Sequence, residues 1–389
     1  MNAISFILTA LFSFTFLLAH GQKTIIDFER LHHGLDSIIE FYHEEGLFSG
    51  YIHIQHGDSV LYSAGNGWMD TPGGIPLSDT SLFPIGSITK TFTGAAILLL
   101  EQQGKLRLSD PVSLWIPAYR QFPTVTISHL LYHTSCIPVN LWGLREMTTA
   151  DKNRLLADHV YELIDSTKNP LRCIPGHRAV YSNIGYMVLG DLIERVSGMT
   201  FADYIRQHLL EPLGMTRTMV ADRIYIDKPG FTNTFIRKPK RGKYRDHTWL
   251  NIAPEFFLPL DLPAAGFMYS TPKELVNLRK YWTTNAILPD SLRTKTQQPN
   301  RLKDGTIPSL EAYPGYMISD LPLPLGRIYQ MTGGLPGLQC AILHSPDTDL
   351  TFIYINNEII YKNKYWPVED CKKPMDATVL YLNACIGVK

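Results

Sequence analysis

Residues 84–100 read PIGSITKTFTGAAILLL, and the fold turns on how Ser87 and Lys90 within it are read. A loop gives way there to an apolar helix, with the serine and the lysine three positions apart. On a helix that offset sets the two side chains about 60° apart around the axis and one turn along, so they can meet. A helix N-terminus carries partial positive charge, which disfavours a lysine cation and favours an alkoxide. Burial against Phe92–Leu100 pushes the lysine the same way. A neutral Lys90 can then take the Ser87 proton, directly or through a second group, and the Ser87 N–H can donate to a developing oxyanion. A solvated helix start is the plainer alternative, and spacing alone does not choose between them.

The same Ser-x-x-Lys pattern recurs as Ser270–Lys273, where the plainer reading suffices. In STPKEL, Thr271 is a natural N-cap, Pro272 fits the first helical position, and Glu274 completes a capping box. The first copy has no such explanation. Its proton relay needs a partner, and Tyr-x-Asn occurs four times: Tyr181–Asn183, Tyr354–Asn356, Tyr361–Asn363 and Tyr381–Asn383. Residues i and i+2 share a side in an extended segment and diverge in a helix, which disfavours Tyr381–Asn383. Tyr354–Asn356 belongs to a strand and Tyr361–Asn363 to a polar loop. Tyr181–Asn183 follows the turn Pro175–Gly176 and precedes a helix from Ile184. Helix capping by Asn183 is its structural alternative.

Around these motifs the chain is of ordinary globular composition: 389 residues, 45% hydrophobic, 19% charged. The 36 basic and 36 acidic residues cancel, so nothing points to nucleic acid as a partner. The N-terminus, MNAISFILTALFSFTFLLAHGQK, holds an uncharged apolar run that is short for a bilayer span and ends in small residues. We read residues 1–21 as a signal peptide and residues 22–389 as one exported domain, periplasmic or secreted, with no stable membrane span after cleavage. The n-region carries no Lys or Arg. The five cysteines, Cys136, Cys173, Cys340, Cys371 and Cys385, leave at least one unpaired in the monomer and allow one or two bridges. No Cys/His cluster has zinc spacing, so no metal is expected.

Residues 24–46 show helical periodicity, and FSGYIHIQHGDSVLYSAGNG reads as a hairpin around His56–Ser59. LQCAILHSPDTDLTFIYINN, near the C-terminus, has the same form. Helices are expected at 91–103, 127–134, 152–166, 184–197, 201–210, 273–282 and about 374–386. Strands from both ends with helices between imply an α+β fold: an antiparallel sheet closed by distant segments, flanking helices, and an inserted, mostly helical lobe at roughly 105–260. Residues 216–262 are the least regular part and include a basic run, 237–245, read as a solvated loop, with contact to an anionic polymer as the alternative.

These motifs, in this order, resemble the serine β-lactamase and penicillin-binding protein-like family, especially its class C β-lactamase, D-alanyl-D-alanine carboxypeptidase and esterase branch. The resemblance runs from about residue 46 to 357. It rests on FSGYIHI, FPIGSITKTFTGAAILLLEQQGKLRLSDPV, VTISHLLYHTSCIP, PGHRAVYSNIGYMVLGDLIERVSGMTFADYI, LPAAGFMYSTPKEL and MTGGLPG. It implies a β-lactamase/transpeptidase-like fold and an acyl-enzyme serine hydrolase that needs no cofactor. Ser87 would be the nucleophile, and Lys90 and Tyr181 would share base and acid duty. Asn183 would hold substrate and position Lys90. The N–H groups of Ser87 and Gly334 would form the oxyanion hole, and Met331, Thr332 and Gly333 would line the substrate strand. Two departures stand out. Cys136 replaces the glycine of the usual HTSGIP, through small size or because it forms a bridge. Met331 stands where the family commonly has Lys or His before Thr-Gly. A thioether brings neither charge nor useful donor. That demotes penicillins and D-Ala-D-Ala peptides and favours neutral esters or amides; Arg327, four residues upstream, is a candidate replacement charge. The expected partner is a small-molecule or peptide-like acyl substrate, cell-wall material included. The alternative is a non-catalytic cell-wall or ligand-binding descendant of the same fold.

Overall fold

The strand Gly50–His56 (β1) can be buried along most of its length only if a sheet holds it on both edges, and both edges are filled. Its neighbours are its hairpin partner Ser59–Asn66 (β2) and, on the other edge, a strand three hundred residues downstream. The computed structural model describes residues 24–70, 74–137, 171–221, 228–237, 263–308, 312–321, 325–335, 337–360 and 372–388. The apolar run at 1–21, the helix expected at 152–166, Tyr361–Asn363, Cys371 and all but the first residue of the basic run lie outside these residues.

The sheet is completed by Met317–Asp320 (β3), Arg327–Leu335 (β4), Leu338–Ser345 (β5) and Leu350–Asn356 (β6). Strand order is β2-β1-β6-β5-β4-β3, antiparallel throughout. Gly50 pairs with Asn356 and Ile54 with Phe352, so both hairpins read from the sequence meet edge to edge. Side chains alternate across the sheet. Ile52, Ile54, Ala341, Phe352 and Tyr354 join one apolar cluster, while Tyr51, Cys340, Ile342, Ile353 and Ile355 join the other.

The first face is covered by Phe28–Glu44 (α1) and Lys373–Cys385 (α5), through Leu31, Leu35 and Leu382. Asp27 caps α1, accepting from the Arg30 N–H at 3.0 Å. The helix therefore starts after Ile26: Thr24–Ile26 instead pairs antiparallel with Ile386–Val388. Against the other face lies Thr89–Gln102 (α2), whose residues Thr89–Leu100 are all buried. A helix apolar all round belongs in the middle of a fold. Its buried hydroxyls are satisfied locally: Thr93 donates to the Ala264 carbonyl at 2.7 Å and Thr91 to that of Gly315 at 2.5 Å. Ile127–Leu131 (α3) and Asn183–Ser197 (α4) pack beside it. Among the described residues no helix is long and apolar enough to cross a membrane.

Two local expectations are corrected. Thr271 does cap the helix at Pro272, accepting from Glu274 N–H at 3.2 Å. The Glu274 carboxylate, however, does not close a capping box; it accepts from the N–H groups of Arg217 and Thr218, both at 2.8 Å. Helix α3 ends at Leu131, short of residue 134, because His133 takes a left-handed φ of +55°.

Cys136 also has positive φ, +59°, which accounts for the glycine its position ordinarily carries. It is bridged to Cys173, 37 residues on. Cys340 and Cys385 are buried thiols outside any bridge. A closed loop of that length is worth about 3–4 kcal/mol in the chain-entropy account. Cys173→Ser is expected to lower the unfolding free energy by that amount in urea titrations, and reductant to lower the wild type equally while leaving the variant unchanged.

Candidate active site

The turn Gly86–Ile88 hands directly into α2, so Ser87 sits one step before the helix and Lys90 in its first turn. Ser87 Oγ lies 3.0 Å from Lys90 Nζ, which donates to it, and 2.7 Å from the Tyr181 hydroxyl. The three groups expected from the sequence to meet do meet.

Lys90 is only 2% exposed. Its amine donates to the Ala265 carbonyl at 2.6 Å and faces the rings of Tyr181 and Tyr186, 5.0 and 5.6 Å from their centroids. No carboxylate pairs with it among the described residues. Burial alone therefore lowers its pKa, from 10.5 to about 7. The amine is a competent base near neutrality because it is desolvated, not because a charge tunes it.

Tyr181 projects from the segment leading into α4. Ser182 is the N-cap of that helix, accepting from Gly185 N–H at 3.1 Å. The capping alternative weighed for Asn183 is thus filled by its neighbour, and Asn183 is the first helical residue, half-buried. Its side chain makes no hydrogen bond to Lys90; the position of Lys90 is set by Ser87 and Ala265.

Strand β4 forms the opposite wall. It comes so near the Ser87 turn that a Cβ on Gly333 would lie 2.1 Å from the Ile85 carbonyl oxygen, and one on Gly86 (φ +50°) 2.8 Å from Gly334 N. Glycine at both positions lets the Gly334 N–H stand beside the nucleophile turn. Gly333 itself is buried against Ile85, so β4 presents Gln330, Met331, Thr332 and Gly334 to the cleft. Met331 is 2% exposed, with its sulfur against the Thr91 hydroxyl. Arg327 does not replace the missing charge. Four residues of strand put it about 13 Å away, and its guanidinium pairs with Asp320 on β3 at 3.5 Å.

Ser87, Lys90, Tyr181, Met331, Thr332 and Gly334 line a cleft of about 260 Å³, and Asn183 and Gly333 are not among its lining residues. Tyr313, Tyr316, Met317 and Gln330 complete its wall, and His133 its floor. None of these five was singled out from the sequence. His133 lies inside a quoted family segment, as does Ala265, so a role was there to be asked about. The tyrosines come from an irregular stretch with no periodic signal. Lys90 is the sole ionic side chain among the described lining residues. No three His, Cys, Asp or Glu side chains gather in a way that could hold a metal ion among the described residues.

Comparison with known proteins bears on the family and the fold. A family profile described as Beta-lactamase matches residues 35–358. Penicillin-binding protein 4* of Bacillus subtilis (strain 168) is 27% identical over 335 residues, covering 83% of this chain and 71% of that protein. Protein flp of Staphylococcus aureus is 32% identical over 287 residues, 72% of this chain, and the chain spans 54% of that relative's length. Among solved structures, the octameric penicillin-binding protein homologue from Pyrococcus abyssi superimposes with a TM-score of 0.69 at 24% identity, covering 90% of this chain and 77% of that one. The D-amino acid amidase from Ochrobactrum anthropi SV3 gives 0.70 at 21% identity, covering 91% and 99%. These structural likenesses show the β-lactamase/transpeptidase-like fold.

The buried amine has a measurable signature. A lysine whose folded pKa falls below its unfolded value binds fewer protons when folded, so its burial opposes folding. The penalty is complete below about pH 7 and vanishes as pH rises toward 10.5. Lys90→Met is therefore expected to be more stable than wild type at about pH 6, below the folded pKa, with the gap in urea midpoints closing by about pH 10. A gap independent of pH would mean the amine is not neutralised by folding.

Proposed function

The chain belongs to the β-lactamase family of serine hydrolases, and on that premise we propose that it cleaves an ester or amide through an acyl-enzyme on Ser87. The observation that carries this reading is the double contact at the Ser87 oxygen, with a desolvated amine on one side and a phenol on the other. In acylation, the Ser87 proton passes to Lys90, directly or through the Tyr181 hydroxyl, as Oγ bonds to the substrate carbonyl carbon. The carbonyl oxygen takes the negative charge and is met by the N–H groups of Ser87 and Gly334. Collapse breaks the bond to the leaving alcohol or amine, which takes the proton back through Tyr181. Water, deprotonated by the same pair, then adds to the acyl-enzyme and frees the acid. Asn183, Met331 and Thr332 are assigned to substrate contact, and Gly333 to letting β4 close on the turn.

Electroneutrality of the cleft supports an uncharged substrate. With Met331 in place of a cation, and Tyr313 and Tyr316 on the wall, no described lining residue other than Lys90, which serves as the base, offers a substrate carboxylate an ion pair. We rank an esterase or related acyl hydrolase first, a peptidase or carboxypeptidase next and a true β-lactamase last. Export is part of the proposal: the apolar run before Gln22 and the Cys136–Cys173 bridge both fit an oxidising compartment.

The test is chemical. Intact-mass analysis after a fluorophosphonate probe is expected to show one adduct on the wild type and none on Ser87→Ala, with fluorescent penicillin labelling weak. Absence of any Ser87-dependent adduct would leave a binding protein. The labelling rate is expected to rise with pH through an apparent pKa near 7, as Lys90 loses its proton. Lys90→Arg, always charged, should lose that limb and run about 10²–10⁴-fold slower. Met331→Lys should raise penicillin acylation at least about tenfold, the value of one charge-assisted hydrogen bond; an unchanged preference would refute the account of Met331.

A further inference from the structure

His133 lies 48 positions before Tyr181 in sequence but holds the chain on both sides of it. The His133 carbonyl accepts from Val180 N–H at 2.7 Å. Its Nδ1 accepts from Ser182 N–H at 3.0 Å, which leaves the proton of the neutral ring on Nε2. Between these two anchors, the imidazole stacks on the Tyr181 ring, with centroids 4.6 Å apart and planes inclined by 29°. Its other neighbour is Tyr186, at 4.9 Å. The left-handed backbone at His133 lets one residue present its carbonyl and its ring to the same segment. Tyr181 itself is 44% exposed.

We propose that His133 is a positioning residue for Tyr181: it grips residues 180 and 182 and backs the phenol ring, fixing the hydroxyl at its short contact with Ser87. The inference rests on Tyr181 having the proton-transfer role proposed above. His133 has no reacting partner; it acts through the phenol. Burial, and then the nearby Lys90 charge, hold its own pKa down to about 3, so the ring stays neutral and its Nδ1 stays an acceptor across the working pH range. The disulfide secures the same turn three residues further on, where Arg172 N–H donates to the Cys136 carbonyl at 2.8 Å.

The test is a double-mutant cycle read as fluorophosphonate inactivation, with kinact and KI separated. His133→Asn suits the left-handed backbone but removes the stacked ring. It is expected to lower kinact about 10–100-fold, as displacement of a catalytic group by an ångström does, with KI changed by less than about twofold. In a Tyr181→Phe background, which has no hydroxyl to position, the same substitution should cost less than about twofold. His133→Phe, which restores a stacking ring, should retain more of kinact than His133→Asn, and serves as the second variant where His133→Asn folds poorly. An equal loss in both backgrounds, or no loss in either, overturns the inference. Full activity of Tyr181→Phe alone would instead overturn the role given to Tyr181.

Discussion

A primary amine sealed inside an apolar helix is the constraint around which the molecule is arranged. Lys90 cannot reach solvent, because α2 is covered on every side and its stem has nowhere to snorkel. It has no carboxylate to pair with among the described residues. What it has is one carbonyl, one hydroxyl and two aromatic faces. Such an environment tolerates a neutral amine and resists an ammonium. The folded state gives up stability to hold it, in exchange for a base whose proton affinity falls in the neutral range.

For the proposed reaction, the Ser87 hydroxyl and the N–H groups of Ser87 and Gly334 must be held as firmly as the amine. They come from separate parts of the chain, and backbone contact joins them. The Ser87 turn abuts β4 through Gly86 and Gly333, with no side chain between. Ala265 arrives from the segment that also accepts the Thr93 hydroxyl through Ala264, so the amine's carbonyl partner is fixed to the same helix as the amine. Tyr181 alone stands on an exposed edge, and there a stacked imidazole and a bridged turn supply the rigidity that packing supplies elsewhere.

Much of this was readable in the residues, for reasons that differ from element to element. The hairpins of β1–β2 and β5–β6 announce themselves by alternation around polar turns, and α2 by an apolar run after a Ser-x-x-Lys. Ser87, Lys90 and Tyr181 were legible because side-chain chemistry and motif order agreed. What escaped was set by partners far away in sequence. Glu274 has capping-box spacing, yet Arg217 and Thr218 offer its carboxylate buried N–H groups. Ile26 keeps helical phase with α1, yet it pairs with Ile386. Arg327 has the right phase to face the site, but strand length and Asp320 keep it away. Tyr313 and Tyr316 line the cleft from a stretch with no period to detect.

The register of the sheet has a bearing on biosynthesis. Ser87 and Lys90 emerge early, but the strand that flanks β1 is residues 350–356, and β4 carries Gly334, the proposed oxyanion donor. Contacts so distant along the chain form late, since the intervening polypeptide must exist before its ends can close. A ribosome must therefore pass residue 356 before Ser87 acquires its surroundings. Until then a nascent chain carries Ser87 as an ordinary, inert hydroxyl.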